Sequence, residues 1–298
     1  FDRAARTATL TVRAPEGPQP ISVAEIHMAG DQWWPLAMVR ELDDAILMLR
    51  FNEPELGLLL VKTQGSVDAV LTNDALMVQH RNDWLVRETI AMLRRTLARL
   101  DVSSRSLYAI VDRGSCFAGL LYELVLAADR SYMLALPEEE ADAPTIALDD
   151  FNLGLLPAIN RRSRLETRFS CSATARAAAL ESRGKRIGAA QAVQCGLVTI
   201  APDELDWEEE LRIAIEERCA LSPDALTGME ASLRFAGDET LETKIFGRLS
   251  AWQNWVFLRP NATGEQGALK LFGSGSKPRF IGTTALPVSI IGCCEPTV

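Results

Sequence analysis

Histidine is nearly absent from this chain of 298 residues, which contains only His27 and His80. The two lie far apart in sequence and in different kinds of segment, so a zinc site or a serine–histidine triad has little support. Cysteine is sparse too, and the six cysteines show no metal-ligand spacing. This usage is typical of a reduced, cytosolic protein. We therefore predict a cytoplasmic location and no metal site.

Other absences exclude further classes of protein. No signal peptide is visible, and no apolar run is long enough to cross a membrane. No Gly-x-Gly-x-x-Gly or Gly-Lys-Ser/Thr sequence follows a strand-like segment, so a dinucleotide or P-loop cofactor is not expected. The net charge of −9 argues against nucleic acid or an anionic membrane as the main partner.

The composition bounds the size of the core. With 48% hydrophobic residues, the chain can bury one large core or two modest ones. We predict a main α/β unit over residues 1–237, a helical and aromatic segment over 238–280, and a disordered or non-native tail over 281–298. Because the chain begins at Phe1 rather than methionine, we also expect it to be a piece of a longer protein.

Strand-like and helix-like segments alternate along the chain. Strands are predicted at residues 7–13, 58–61, 107–111 and 132–136, and helices at 38–50, 85–100, 173–182 and 223–237. Residues 62–74 are predicted to form a loop. This alternation favours an α/β domain built from ββα-type units, covered by C-terminal helices.

Residues 107–130 carry the strongest local signal. A strand-like run leads through a turn with two glycines into an apolar helix that contains one carboxylate, Glu123. Backbone N–H groups at such a helix N-terminus can hold a carbonyl oxygen that gains negative charge. A carboxylate on an apolar face must find a partner, titrate upward or take part in chemistry. The alternative is a helix that merely packs on a sheet, with Glu123 at its solvent edge.

Residues 118–129 contain the motif Ala118-Gly119-Leu120-Leu121-Tyr122-Glu123-Leu124 followed by Leu126-Ala127-Ala128-Asp129. This motif resembles the enoyl-CoA hydratase/isomerase (crotonase) superfamily. Four further segments are distinctive: Trp33-Trp34-Pro35-Leu36, Ser103-Ser104-Arg105-Ser106-Leu107, Gly114-Ser115-Cys116-Phe117-Ala118-Gly119 and Trp252-Gln253-Asn254-Trp255. In these segments the chain resembles one family of the superfamily, the benzoyl-CoA-dihydrodiol lyases, also described as 2,3-epoxybenzoyl-CoA dihydrolases. Members of that family are longer chains with two crotonase-like halves, and this sequence resembles the second half.

The resemblance implies a ring-cleaving enzyme and a set of site residues. Water would open a ring-epoxidised benzoyl-CoA, formate would leave, and an aldehyde-bearing CoA thioester would remain. Backbone N–H groups near Asp74 and at Gly119 and Leu120 would form the oxyanion hole. Glu123 and Asp150 would transfer protons, although Asp150 stands where the superfamily has a longer glutamate, and it could instead be a turn or cap residue together with Asp149.

Cys116 is a weaker candidate in the same turn. A nucleophilic thiol needs a basic partner, and only Arg113 is near in sequence. A free cysteine beside apolar residues is more often part of the core. We therefore predict only that Cys116 lines the substrate pocket.

Two alternative functions remain open. The chain could be a non-catalytic crotonase-fold module that shapes a dimer, because the family's glycine-rich turn has become Ala118-Gly119-Leu120-Leu121. It could also be a plain enoyl-CoA hydratase or isomerase. In each case the expected ligand is an acyl-CoA thioester, with no cofactor besides the coenzyme A of the substrate. A homo-oligomer is expected, with a dimer favoured, and the C-terminal aromatic residues would pack on a sister subunit or on the other half.

Overall fold

A computed structural model describes residues 1–53, 55–137, 139–235 and 239–280 of the chain. Four parallel strands form the main sheet in the order β1-β2-β3-β4. Their bounds are Thr7–Arg13 (β1), Leu58–Gln64 (β2), Ser106–Val111 (β3) and Arg130–Met133 (β4). Two short strands, Ile146–Ala147 (β5) and Arg186–Ile187 (β6), pair antiparallel beside it. The predicted strands are confirmed, the last being shorter than expected.

Helices connect and cover the sheet. The first five are Val23–Ala29 (α1), Trp34–Asn52 (α2), Val67–Gln79 (α3), Trp84–Asp101 (α4) and Gly119–Ala127 (α5). The next four are Arg164–Arg168 (α6), Ala173–Glu181 (α7), Ala189–Gln194 (α8) and Trp207–Cys219 (α9). The last four are Pro223–Leu233 (α10), Ser250–Phe257 (α11), Pro260–Thr263 (α12) and Ala268–Leu271 (α13). A short 3₁₀ turn at Gly30–Gln32, a 3₁₀ helix at Asp150–Leu153 and a π-helical turn at Thr243–Leu249 complete the pattern of the described residues.

Strand β3 lies at the centre of the fold and is buried on both faces. Leu107, Ala109 and Val111 point into the larger core, while Tyr108 and Ile110 point to the opposite face, where Ala214 of α9 packs. Alternation of this kind follows from the two-residue period of a strand. A strand covered on both faces reads as a continuous apolar run, which is why it could be located from sequence.

The predicted loop at residues 62–74 is wrong. Strand β2 continues to Gln64, and α3 begins at Val67 after Ser66, whose hydroxyl accepts a hydrogen bond from the N–H of Ala69 at 3.3 Å. A serine in this position is an ordinary helix N-cap. The buried Val70, Asn73 and Met77 then share one face of the helix, a pattern that the short apolar runs between polar residues obscured.

Some predictions fall outside the part of the chain that the structure describes. Helix α10 begins at Pro223 as predicted and ends at Leu233, whereas Gly237, its predicted end, lies outside the described residues. The tail at 281–298 does so as well, and the division between residues 237 and 238 stays a prediction. Among the described residues, no helix is both long and apolar enough to cross a membrane.

Candidate active site

The N-terminus of α5 is formed by a tight turn after β3. Gly114 turns the chain with φ +76°, and the hydroxyl of Ser115 donates to the Asp112 carboxylate at 3.1 Å. The helix then begins at Gly119, whose φ of +44° is in the left-handed region that favours glycine. The N-cap residue, Ala118, makes no side-chain hydrogen bond to the first N–H groups of the helix. The first N–H groups of α5 therefore need acceptors from elsewhere in the fold.

The acceptor is the carboxyl group of Asp74. Its Oδ2 accepts a hydrogen bond from the N–H of Leu120 at 2.7 Å, and the side chain is completely buried. Asp74 lies inside α3, where backbone N–H groups bond to carbonyls one turn earlier, and it contributes its side chain to the α5 turn. That an amide near Asp74 forms part of the oxyanion hole stays a prediction.

The carboxyl group of Asp149 lies next to that of Asp74, and both are close to Gly119. A Cβ atom at Gly119 would lie 2.1 Å from Oδ2 of Asp74 and 2.4 Å from Oδ2 of Asp149, so the two oxygens lie close together. Asp149 also caps the 3₁₀ helix, its Oδ1 accepting from the N–H of Phe151 at 2.8 Å. The cap interpretation of this residue therefore fits its geometry, and its place beside Asp74 was not foreseen.

The surroundings of the two carboxyls favour a proton on the pair. Burial raises the pKa of Asp74 well above its usual value, and the neighbouring Asp149 charge raises it further. Burial also raises the pKa of Asp149, but the hydrogen bond from Asp74 opposes that shift. Two carboxylates in contact cannot both ionise without a large cost. The pKa of both groups is raised, and the complete burial of Asp74 favours its neutral form, so the pair is placed to accept or release one proton.

Glu123 lies within α5 and is 1% exposed, so the alternative that placed it at a solvent edge is excluded. Its Oε2 accepts from Arg164 at 2.8 Å and its Oε1 from the amide of Asn152 at 2.8 Å. Burial raises the pKa of Glu123, and the Arg164 charge opposes this. Arg164 also binds Asp101 through two hydrogen bonds of 3.1 and 2.9 Å. Glu123 thus belongs to a buried ion cluster.

The structure does not bring Glu123 and Asp150 into one carboxylate pair. The Asp150 side chain is 40% exposed and forms an ion pair with Arg183, whereas the described partners of Glu123 are Asn152 and Arg164. The reason is the 3₁₀ helix, which directs successive side chains to different sides. Asn152 rather than Asp150 turns inward, where its amide also donates to the Gly119 carbonyl at 2.9 Å.

Cys116 is fully buried, and its backbone N–H donates to the hydroxyl of Thr63 at 2.9 Å. Burial raises the pKa of its thiol, which keeps it in the unreactive neutral form. Within the described part of the chain, no group of three or more His, Cys, Asp or Glu side chains is placed to hold a metal ion. The chemistry available at the α5 turn is therefore proton transfer by carboxyl groups and hydrogen bonding by backbone amides.

Comparison with solved structures decides the fold. The chain matches an enoyl-CoA hydratase/isomerase from Marinobacter aquaeolei with a TM-score of 0.61 and 17% identity, covering 92% of this chain and 95% of that one. It matches an enoyl-CoA hydratase from Bacillus anthracis with a TM-score of 0.60 and 18% identity, covering 83% and 90%. The chain has the crotonase fold. At these identities the likeness concerns the fold alone.

Sequence comparison adds a much more similar relative to this crotonase-fold chain. It is 57% identical over 280 residues, 94% of its length, to the benzoyl-CoA-dihydrodiol lyase of Aromatoleum evansii. The match covers 50% of that protein, so the chain spans about half the length of the relative it matches. No family model matches the chain. The predicted resemblance to the benzoyl-CoA-dihydrodiol lyases is confirmed, and the assignment to the second half stays a prediction.

Arg164 and Asn152 are residues of the candidate site that sequence reasoning missed, and it named Asp149 only as a turn or cap residue together with Asp150. Asn152 and Arg164 bind Glu123, which lies 29 and 41 positions earlier in the chain. Asp149 lies beside Asp74, which is also distant in sequence. Only Asp149 had a local signal, since Asn152 follows it three positions later as in a capping box.

Proposed function

We propose that this chain forms part of an enzyme that cleaves the ring of 2,3-epoxybenzoyl-CoA. The identity of 57% to a benzoyl-CoA-dihydrodiol lyase carries the proposal. Water would add to the epoxidised ring, one carbon would leave as formate, and an aldehyde-bearing acyl-CoA would remain. The thioester carbonyl would be polarised by backbone N–H groups at the α5 turn, as in electrostatic stabilisation of a developing oxyanion.

The carboxyl groups near the turn are the candidates for proton transfer in this reaction. Glu123 and Asp150 keep the roles that the resemblance implies, and the Asp74–Asp149 pair joins them as the carboxyls in closest contact with the turn. A neutral carboxyl can protonate the ring oxygen, and an ionised one can take a proton from water. For the carbonyl to reach the Leu120 N–H, the Asp74 side chain must first give up that hydrogen bond.

A second candidate function is a non-catalytic module that shapes the enzyme around a site in another chain or another half. One observation favours it: the N–H of Leu120 is already engaged by Asp74. The buried Glu123 is likewise saturated by Arg164 and Asn152. In this case the ion cluster and the carboxyl pair would only stabilise the fold.

Formate release separates the two candidates. The purified chain is first shown to be folded by circular dichroism and is then supplied with the epoxide of benzoyl-CoA. Release that falls by about 10²-fold or more in Glu123→Gln supports a working site here, since that loss is typical of a general acid or base. A folded chain that releases no formate contradicts catalysis by these residues alone and favours the module. Hydration of crotonyl-CoA would identify a plain enoyl-CoA hydratase instead.

The proposal includes a cytoplasmic homodimer that needs no metal or cofactor besides the coenzyme A of its substrate. The homodimer is supported by large apolar side chains that are exposed in the C-terminal segment: Phe246 is 73%, Leu258 83% and Phe272 90% exposed. Exposed apolar area of this kind is a candidate interaction surface. Light scattering after size exclusion measures the mass directly, and a monomer at micromolar concentration would contradict this part of the proposal.

A further inference from the structure

A cavity of about 420 Å³ lies at the C-terminal end of α5, away from the turn at Gly119. Its wall combines the end of α5 with α6 and the end of α10. A helix of nine residues is roughly 13 Å long at about 1.5 Å per residue, so the cavity and the α5 turn are separate places. Its volume is in the range of pockets that hold small organic ligands.

The wall of this cavity contains more positive than negative charge. Five arginines face three carboxylates. Three of the arginines are committed to buried carboxylates: Arg164 to Asp101, Arg218 to Glu230 and Arg234 to Asp129. The Arg218–Glu230 and Arg234–Asp129 pairs are neutral, and Arg164 is shared between Asp101 and Glu123, so these three arginines leave no uncompensated positive charge for a ligand. The charge that remains comes from the other two arginines.

Those two arginines are Arg130 and Arg168. Among the described residues, neither has a carboxylate within ion-pair distance. Arg168 donates its Nε to the carbonyl of Gly196 at 2.6 Å, which fixes the guanidinium and leaves its two terminal nitrogens without a described acceptor. Arg130 lies over the ring of Tyr108 at 6.0 Å. Both are half-buried, in a chain whose net charge is −9, so a local site for an anion is present against an acidic background.

Most of the remaining wall is apolar. Leu126, Met229, Leu233 and Phe235 line the same space, together with the polar Asn160 and Thr167. Inorganic phosphate would satisfy the guanidinium groups but leave these side chains in contact with water. An anion that carries an apolar body would meet both requirements, because burial of apolar area adds to the charged hydrogen bonds.

We propose that this cavity binds a small carboxylate with an apolar body. The carboxylate accepts hydrogen bonds from the free nitrogens of Arg168 and from Arg130, and the body packs on Leu126 and Met229. A planar guanidinium suits this ligand because it can bind a carboxylate through two parallel N–H groups. The proposal does not rest on the reaction proposed above, although Arg164 of the cavity wall also binds Glu123.

Calorimetric titration of the whole chain with benzoate tests the proposal. Benzamide has the same body without the charge, and inorganic phosphate has the charge without the body. We expect saturable binding of one benzoate per chain and at least 10-fold weaker binding of both controls. Absence of saturable benzoate binding would overturn the proposal, and so would phosphate or benzamide binding as tightly as benzoate.

Variants locate the site. Arg168→Gln and Arg130→Gln should each weaken benzoate binding by about 10-fold or more, as expected for loss of a charged hydrogen bond. Arg212→Gln is the matched control, because Arg212 is exposed and absent from the cavity wall. The affinity of this variant for benzoate should equal that of the native chain. If an arginine variant fails to fold by circular dichroism, Leu233→Gln replaces it, since Leu233 is 64% exposed. Unchanged affinity in all folded cavity variants would refute the site.

Discussion

The Oδ2 atom of Asp74 accepts a hydrogen bond from the N–H of Leu120 at 2.7 Å, so a carboxyl group from the middle of one helix caps the N-terminus of another. The contact is buried, and Oδ1 of the same carboxyl has no hydrogen-bond partner among the described residues. Desolvation therefore favours the neutral form of Asp74, and the polar end of α5 is satisfied from within the chain. This arrangement makes the stability of the fold depend on a proton.

Asp74→Asn should reduce the pH dependence of folding. Because the folded-state pKa of Asp74 is raised above an unfolded value of about 3.9, its stabilising contribution is fully present below about pH 4. That contribution is lost as the pH rises through the folded pKa. Asparagine keeps a side-chain oxygen that can accept from the N–H of Leu120, and it cannot ionise.

The free energy of unfolding in urea, measured between pH 5 and pH 8, checks this prediction. There is a pH range in which Asp74 is ionised in the unfolded chain but neutral in the folded chain. In that range the free energy of unfolding of the native chain should fall by about 1.4 kcal/mol per pH unit more than that of the variant. Asp44→Asn, at an exposed aspartate of α2, serves as the control and should keep the native slope. Equal slopes in the native chain and Asp74→Asn would contradict a protonated Asp74.

Gly119→Ala should destabilise the chain more than its backbone conformation alone requires. A residue other than glycine at φ +44° carries a cost of about 1–2 kcal/mol. The added Cβ would also approach Oδ2 of Asp74 to 2.1 Å, which forces the carboxyl pair apart. Gly114→Ala is the matched control, since its φ is +76° and nothing lies within 4 Å of its Cβ position. Equal losses of unfolding free energy in the two variants would show that the carboxyls move aside freely.

Cys116 should react much more slowly than Cys171 with a thiol reagent. Cys116 is buried, and burial raises its pKa, whereas Cys171 is exposed. The thiolate is the reactive form, so both accessibility and ionisation slow Cys116. Labelling of the folded chain at pH 7, followed by peptide mass spectrometry to locate the label, gives the two rates. Labelling of Cys116 before Cys171 would restore it as a reactive residue of the site.

The sequence was sufficient for the parts of the fold that depend on local patterns. Strand β3 and helix α4 could be located because a run of apolar residues and a period of 3.6 residues are visible within one window. Helix α3 was missed because its buried face includes the polar Asn73 and Asp74. A polar residue on a buried face looks like a loop residue until its partner is known.

The candidate site shows the same limit more strongly. The position of Glu123 in a helix after a tight turn could be predicted, but its partner Arg164 is 41 residues away and has no local pattern that links it to Glu123. Asp150 was chosen over Asp149 by alignment with a family motif, and the 3₁₀ helix places Asp149 against Asp74 instead. Asp149 and Asp150 are adjacent, and the local backbone conformation decides which of the two carboxyls points inward. Sequence periodicity cannot distinguish adjacent positions in so short a 3₁₀ helix.

Arg164→Met tests whether the cluster around Glu123 holds the fold together. Arg164 is 3% exposed and binds both Glu123 and Asp101, so its loss leaves two buried carboxylates without a counter-charge. Removing one partner of a buried ion pair typically costs about 3–5 kcal/mol. We expect a loss of this size in the free energy of unfolding at pH 7, and a smaller loss at pH 5 because the carboxyls can then take up protons.

A double variant separates the charge effect from lost packing. Arg164→Met combined with Glu123→Gln should be more stable than Arg164→Met alone, because glutamine removes one of the uncompensated charges while keeping a hydrogen-bond acceptor for Asn152. Arg212→Met, which breaks ion pairs that lie on the exposed surface, should change stability little. A double variant that is less stable than Arg164→Met would contradict this explanation. It would show that the carboxylate of Glu123 stabilises the fold even without the charge of Arg164.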